Sequence, residues 1–182
     1  AIFGIDPIES GEILVDGRAV RIRCPADALA AGIVLVPEDR RKEGLVMGNT
    51  VAFNLALPWT SEWNPSFLPD QRRRARIIEK AIDSFGIKLS SVDETIDRLS
   101  GGNQQKALVG RWMEHPPKVL ILDEPTRGVD VGAREEMFRI MGDMVREGMA
   151  ILLISSDLSE VMNMSHRIAM YRDGRILETA AA

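Results

Sequence analysis

The sequence has little of several features, and each shortage excludes a class of protein. It holds one cysteine, Cys24, among 182 residues, so an internal disulfide is excluded and a reducing compartment is favoured. No apolar run approaches the roughly 20 residues of a membrane helix and no signal pattern opens the chain, so we expect any work at a membrane to go through a partner. The formal net charge of −4 argues against a general nucleic-acid binder.

The residues that are present indicate an α/β domain. Hydrophobic residues make up 45% and charged residues 27% of the chain, which is typical of a soluble globular protein with one core. From residue 118 onward, unbroken apolar strands alternate with helices, and this alternation favours a parallel sheet covered by helices. Residues 58–100 interrupt the alternation and are mostly helical, so we predict a helical subdomain inserted in the α/β core.

Local patterns predict the individual elements. Asp16-Gly17 and Asp173-Gly174 each lie between β-like runs, which predicts two hairpins. Residues 50–57 fit a helix or a strand, and residues 58–70, with three prolines, predict an irregular connection. The hairpins are expected at 12–22 and 167–179, buried strands at 33–38, 118–125 and 149–155, and helices at 25–32, 70–86, 102–114, 131–148 and 157–164.

Two acids stand at the end of the apolar run VLIL, residues 119–122. Asp123 and Glu124 are therefore expected at the carboxyl end of a buried strand, where open α/β sheets bind ligands. At a phosphate site, one carboxylate holds Mg²⁺, often through water, and the next can polarise an attacking water. Taken alone, the two acids also fit a strand that ends in a solvated acidic turn.

A second motif, LSGGNQQK at residues 99–106, lies one helix upstream of that strand. It is expected to form a turn that leads into a helix, whose first N–H groups have no partner within the helix and suit an anion. Gly101 and Gly102 carry no Cβ to block the approach of a phosphate, and the Ser100 hydroxyl can donate to it. Taken alone, this motif also fits a glycine turn with Ser100 as the helix cap.

Together the two motifs resemble those of the ATP-binding cassette ATPases. LSGGNQQK resembles the signature loop of that family, VLILDEPT its Walker B strand, and RGVDVGA (127–133) its D-loop. The wording of these motifs, with VPEDRRKEGL and LLISSDLSEV, is similar to the second nucleotide-binding domain of tandem ATPases in bacterial monosaccharide importers of the ribose, xylose and galactose type. The resemblance covers essentially the whole chain.

The resemblance implies an α/β fold, namely a P-loop NTPase-like core with a parallel sheet, a small antiparallel β-subdomain and an inserted helical subdomain. It implies that residues 1–57 form the β-subdomain and a core strand. Residues 58–100 would form the helical subdomain. Residues 101–182 would hold the signature helix, the Walker B strand, the D-loop and the C-terminal core.

The resemblance also implies a role for each site residue, with ATP and Mg²⁺ as cofactors. Asp123 would hold Mg²⁺ through water, Glu124 and Ser156 would be catalytic, and Glu38 would occupy the Q-loop position. Asp130 would be the D-loop aspartate. The signature residues would contact, in trans, an ATP that the opposite domain holds; they are Ser100, Gly101, Gly102, Asn103 and Gln104.

Three departures from the family pattern stand out. A P-loop reads G-x-x-x-x-G-K-[ST], and no lysine in this chain follows a glycine, so the phosphate cradle is absent and the chain is expected to begin after it. Glu38 stands where the family has glutamine, and Ser156 stands where it has the switch histidine. A charged Glu38 would repel the γ-phosphate and Glu124. We therefore expect two incomplete half-sites, no activity of this chain alone, and a weak or inactive hydrolytic centre.

The expected partners follow from the same resemblance. They are a second nucleotide-binding domain, a membrane permease and, indirectly, a periplasmic sugar-binding protein, at the cytoplasmic face of the bacterial inner membrane and without nucleic acid. Two alternatives stay open: a non-catalytic module for dimerisation and permease docking, and a soluble cassette ATPase unrelated to transport. The basic run RRRAR (72–76) fits a solvated helix face better than a nucleic-acid or lipid patch.

Overall fold

The computed structural model describes residues 1–62 and 71–181, so part of the predicted connection 58–70 lies outside the described residues. The strands are β1 (Ile13–Val15), β2 (Arg18–Val20), β3 (Ile33–Val36), β4 (Val119–Asp123), β5 (Ala150–Ile154), β6 (Arg167–Arg172) and β7 (Arg175–Ala181). The α-helices are α1 (Pro25–Ala30), α2 (Val51–Ala56), α3 (Gln71–Phe85), α4 (Gly101–Gly110), α5 (Val131–Arg146) and α6 (Leu158–Met164). This is the predicted mixed α/β fold.

The core sheet brings the predicted site residues to one edge. It is parallel, in the order β3-β4-β5, with Val36 opposite Leu122 and Asp123 opposite Ile154. Because parallel strands all end at the same edge, the residues that follow each strand meet there. Glu38, Glu124 and Ser156 follow β3, β4 and β5 respectively.

The two hairpins form as the Asp-Gly pairs predict. β1 pairs with β2 and β6 with β7, both antiparallel. Asp16 and Gly17 have φ of 51° and 73°, and Asp173 and Gly174 have φ of 49° and 78°. Two successive residues with positive φ match the type I′ turn that favours this dipeptide.

The strand predicted at 149–155 forms, as β5, but the prediction that it is buried is wrong. β4 is covered on both faces, with Leu120 and Leu122 buried on one face and Ile121 on the other, whereas Leu152 is 41% and Ile154 46% exposed on β5. Leu152 and Ile154 share one face of β5, which is an edge strand of this sheet within the described residues, and that face is open to solvent. An apolar run indicates a strand but does not tell a central position from an edge position.

The ambiguous segment 50–57 is helical. The Oγ1 of Thr50 accepts a hydrogen bond from the N–H of Phe53 at 3.1 Å and caps α2. α2 and α3 then pack against α4, where Phe85 lies over Gly110 so closely that a Cβ there would come within 3.1 Å of the ring.

The helix predicted at 102–114 instead runs from Gly101 to Gly110. After Gly110 the chain turns, and the carbonyl of Arg111 accepts a hydrogen bond at 2.8 Å from Nε1 of the buried Trp59. The Nη1 of Arg111 donates at 2.6 Å to the carbonyl of Gly44. Burial lowers the pKa of Arg111 to about 10. These contacts between distant segments, which the local pattern does not contain, hold the turn.

Candidate functional site

A cleft of about 560 Å³ opens at the carboxyl edge of the sheet and brings three predicted site residues together. Glu38, Glu124 and Ser156 all line it. The remaining lining residues come from the loop after β4, from α5 and from α6; they are Thr126, Arg127, Gly128, Arg134, Asp157 and Glu160.

Glu124 is held by its neighbour strand. Its backbone has a φ of 47°, a conformation that non-glycine residues seldom adopt, and its N–H donates to the carbonyl of Ile154 at 2.9 Å. One carboxylate oxygen, Oε1, accepts a hydrogen bond from the N–H of Ser156 at 2.8 Å. The contact that joins the two predicted catalytic residues is thus made by the backbone of Ser156, a group that any residue at position 156 would supply.

Asp123 lies at the end of β4 in an acidic environment. Burial is the main cause that raises the pKa of Asp123 above its usual value, and the negative charges of Glu124 and Glu43 raise it further. A divalent cation would relieve this repulsion, and Mg²⁺ is commonly held by one or two carboxylates together with phosphate oxygens and water. Residues 1–62 and 71–181 hold no group of three His, Cys, Asp or Glu side chains that could bind a metal alone. Asp123 and Glu124 would therefore suit Mg²⁺ that takes its remaining oxygen ligands from other molecules.

Replacement of Asp123 with asparagine is expected to raise the stability of the metal-free chain at neutral pH. Because the pKa of Asp123 is raised in the folded state, its protonated form stabilises the fold. This stabilisation is complete below the usual pKa of 3.8 and is lost as pH rises through the folded-state pKa. At neutral pH the charged carboxylate therefore destabilises the fold, and asparagine removes that charge. The gain should stay below about 1 kcal/mol, because Asp123 is only half-buried and solvent screens the charges around it. Urea denaturation with a chelator at pH 7 and near pH 3 measures it: a gain that persists at the lower pH contradicts the electrostatic cause.

Glu38 does not stand alone in the cleft, because it forms an ion pair with Arg127. Both side chains are largely exposed, so the pair adds little to stability. It does place a positive charge beside Glu38, which offsets the repulsion of a phosphate that we expected from Glu38 alone. Arg127 was missed in the sequence reasoning, although it is the first cation after the acidic pair in DEPTR.

Contacts on both sides of Ser156 fix its position. The hydroxyl of Ser155 donates to Oε2 of the buried Glu160 at 2.5 Å. The Oδ2 of Asp157 accepts a hydrogen bond from Nη1 of Arg134 at 2.9 Å. The hydrogen bond from the N–H of Glu160 does most to hold the pKa of Asp157 below its usual value. The N–H of Ser159 and the charge of Arg134 lower it further. This network orients the N–H of Ser156 toward Glu124. The sequence did not lead us to predict these contacts.

Ser100 caps α4, and its hydroxyl group can still donate a hydrogen bond. Its Oγ accepts hydrogen bonds from the N–H of Asn103 at 3.4 Å and from the Nδ2 of Asn103 at 3.0 Å. The Oδ1 of Asn103 in turn accepts from the N–H of Lys88 at 2.9 Å, which fixes the amide. Because Asn103 occupies both acceptor sites of an exposed hydroxyl, the hydroxyl proton remains for an external acceptor.

The two signature glycines have packing reasons inside the chain. A Cβ at Gly102 would lie 2.4 Å from the Cβ of Ala133 on α5, and a Cβ at Gly101 would lie 2.8 Å from Nη2 of Arg40. We predicted that both positions lack a Cβ to admit a phosphate; the structure shows that the protein itself approaches them. The ion pair of Lys106 with Glu136 is a second contact between α4 and α5.

Gln104 does not face solvent as a nucleotide contact would require. It is 3% exposed, and its Nε2 donates to the carbonyls of Ile96 and Leu99 at 3.2 and 3.0 Å. This geometry suits support of the signature turn. Asp130 caps α5, its Oδ1 accepting from the N–H of Ala133 at 3.0 Å, and it remains exposed beside the cleft loop.

Sequence comparison finds close relatives among sugar importers. The chain is 42% identical over 176 residues to the ribose import ATP-binding protein RbsA of Bacillus subtilis, with 97% of this chain and 36% of the relative covered. It is 46% identical over 175 residues to a putative ribose/galactose/methyl galactoside import ATP-binding protein of Agrobacterium fabrum, with 96% and 35% covered. The chain thus spans about a third of the length of these relatives.

Structure comparison supports the fold. A dimeric ATP-binding cassette, solved in a post-hydrolysis state with ADP and Pi, superimposes with a TM-score of 0.76 over 97% of this chain and 75% of that chain, at 19% identity. No helix in the described part of the chain is long and apolar enough to cross a membrane. The family model described as ABC transporter matches residues 1–127. This match covers more than half of the chain, so the chain belongs to the ABC transporter family.

Proposed function

We propose that this chain is an ATP-binding domain of a bacterial monosaccharide importer, which couples ATP binding and hydrolysis to sugar uptake through a permease. The observation that carries this proposal is the exposed Ser100 hydroxyl, whose acceptor sites are both taken by Asn103 and whose proton is free to meet a phosphate oxygen. The names of the relatives supply the sugar class, since those proteins are described as ribose and galactoside import proteins.

In this proposal the chain supplies two half-sites. Ser100, Gly101, Gly102 and Asn103 form one, which closes over an ATP held by the phosphate loop of another nucleotide-binding domain, while Gln104 supports the turn from inside. The first turn of α4 suits this role, because the N–H groups of Gly101 and Gly102 have no acceptor within the helix, while the N–H of Asn103 is capped by Ser100.

The cleft forms the other half-site, together with Asp123 and Asp130, which do not line it but lie on either side of its loop at the end of β4 and the start of α5. Asp123 would help to hold Mg²⁺, and Glu124 would polarise the attacking water, since its Oε1 is held by the N–H of Ser156. Arg127 would balance the charge of Glu38, and Asp130 would face the partner domain. Because the phosphate cradle is not encoded in these residues, neither half-site works alone.

The partners follow from this division. They are a second nucleotide-binding domain, a permease at the cytoplasmic face of the inner membrane, and a sugar-binding protein on the far side. A non-catalytic docking module is the second candidate, and the backbone contact of Ser156 favours it: a serine there offers its N–H to Glu124, while its short side chain reaches less far than the histidine that the family has at this position.

Deletion of the coding sequence in its host, followed by uptake assays with labelled ribose, galactose and xylose, tests the proposal. We expect uptake of at least one of these sugars to be lost and to return with the wild-type gene, while uptake of an amino acid stays unchanged. Normal uptake of every monosaccharide tested would overturn the importer function. Uptake that is restored equally well by a Glu124→Gln variant would favour the non-catalytic module.

A further inference from the structure

Arg40 lies where three segments of the candidate site meet. It begins the π-helical turn Arg40–Gly44, two residues after Glu38. Asp39 caps this turn, its Oδ1 accepting hydrogen bonds from the N–H groups of Arg41 and Lys42 at 3.1 Å each. The carbonyl of Arg40 also accepts from the N–H of Leu45 at 2.7 Å. The backbone from which Arg40 extends is therefore well fixed.

The guanidinium of Arg40 reaches both the signature turn and the loop after β4. Its Nε donates to Oε1 of Gln104 at 3.3 Å, and its Nη1 donates to the carbonyl of Arg127 at 3.2 Å. Its Nη2 occupies the space that a Cβ at Gly101 would need, 2.8 Å away. One side chain thus contacts the signature helix and the D-loop region at once.

The two segments also touch through the packing of Gly102 against Val129 and Ala133, but their own backbone hydrogen bonds lie within each segment. The N–H of Gln104 donates to the carbonyl of Ser100 at 2.9 Å within the signature turn, and the N–H of Val129 donates to the carbonyl of Thr126 at 3.2 Å within the loop. A Cβ at Gly101 would come within 3.2 Å of the carbonyl oxygen of Gly128. Packing at Gly102 brings the two turns together, and the hydrogen bonds of Arg40 to Gln104 and to the carbonyl of Arg127 add a directional link between them.

We propose that Arg40 is a positioning residue that sets the spacing between the signature turn and the loop at 126–130. The chemistry requires arginine, because the planar guanidinium carries donors that point in different directions, whereas a lysine ammonium at the end of its stem acts as a single point charge. Gly101 is required for the same reason, since any side chain there would displace the guanidinium. The inference rests on the proposed function in so far as both segments serve ATP.

The test compares Arg40→Lys with Arg41→Lys. Both changes keep the charge, and Arg41 is the exposed neighbour on the same turn, so it is a matched control. The first measurement is amide hydrogen exchange of Gln104 and Val129 in the full-length protein. The N–H of Ala31, which donates to the carbonyl of Asp27 on the distant α1, serves as the reference. The second is kcat and KM for ATP in the full-length protein with its permease.

With Arg40→Lys we expect exchange of Gln104 and Val129 to become roughly tenfold faster while Ala31 is unchanged. We expect kcat to fall by a similar factor with KM nearly unchanged, since the phosphate loop that holds ATP lies elsewhere. Arg41→Lys should match the wild type. Three results for Arg40→Lys would overturn the proposal. Exchange at Ala31 could also become faster, or exchange at Gln104 and Val129 could equal that of Arg41→Lys. The third is faster exchange at Gln104 and Val129 with a normal kcat. If the wild-type protein hydrolyses no ATP, the proposed function fails, and the exchange comparison still decides whether Arg40 holds the two turns together.

Discussion

Replacement of Ser100 with arginine is expected to abolish sugar uptake by the full-length protein. The Ser100 hydroxyl is exposed at the first turn of α4, and Asn103 occupies its acceptor sites, so its proton and the space in front of it are available to a phosphate. An arginine would fill that space with a long side chain and would remove the oriented hydroxyl. Uptake of labelled monosaccharide in cells that express the variant at wild-type level measures the effect.

Two further variants separate this effect from damage to the fold. Ser100→Ala removes the helix cap, at a cost of about 1 kcal/mol, but it leaves the space open, so uptake should be reduced rather than lost. Ser84→Arg adds the same side chain at an exposed position on α3, and uptake should stay normal. Wild-type uptake by Ser100→Arg would show that the signature turn does not meet a nucleotide.

Replacement of Gly102 with alanine is expected to lower the free energy of unfolding by roughly 1–3 kcal/mol, the usual range for overpacking a core. The new Cβ would lie 2.4 Å from the Cβ of Ala133, so α4 and α5 must move apart. The Lys106–Glu136 ion pair would be disturbed with them. Urea denaturation monitored by circular dichroism gives the difference.

The chain offers a control for this change and a way to reverse it. Gly142 also lies within a helix, α5, but a Cβ there meets no atom within 4 Å, so Gly142→Ala should be neutral or stabilise by up to about 1 kcal/mol. Adding Ala133→Gly to Gly102→Ala should recover part of the loss, because the two residues touch. Equal stability of the Gly102→Ala and Gly142→Ala variants would mean that α4 and α5 are not in close contact at Gly102.

The parts of the fold that local chemistry determines could be predicted from the sequence. The Asp-Gly pairs gave both hairpins, because positive φ at two successive positions is a property of those residues. The apolar run predicted a strand at 118–125 with acids at its carboxyl end, and β4 forms there as Val119–Asp123. The meeting of Glu38, Glu124 and Ser156 in one cleft agrees with the resemblance and with the rule for the edge of a parallel sheet.

The parts that depend on distant neighbours could not be predicted. The apolar sequence of β5 predicts a buried strand, yet the exposure of Leu152 and Ile154 depends on what packs over their face of the sheet. The same holds for Gln104, which is polar and lies in a motif, but is buried by contacts with Arg40, Ile96 and Leu99. Arg127 and Arg40 were missed because a surface arginine and a bridging arginine look alike in sequence.

The requirement for a phosphate loop from elsewhere is tested most directly by calorimetry of Mg²⁺-ATP binding to the 182-residue chain. Circular dichroism with a cooperative thermal transition would first show that the chain is folded, and the full-length protein would serve as the positive control. We expect no heat of binding to the chain at millimolar nucleotide and micromolar binding to the full-length protein. Micromolar binding to the chain alone would contradict the two incomplete half-sites, since some other part of these 182 residues would then hold the phosphates.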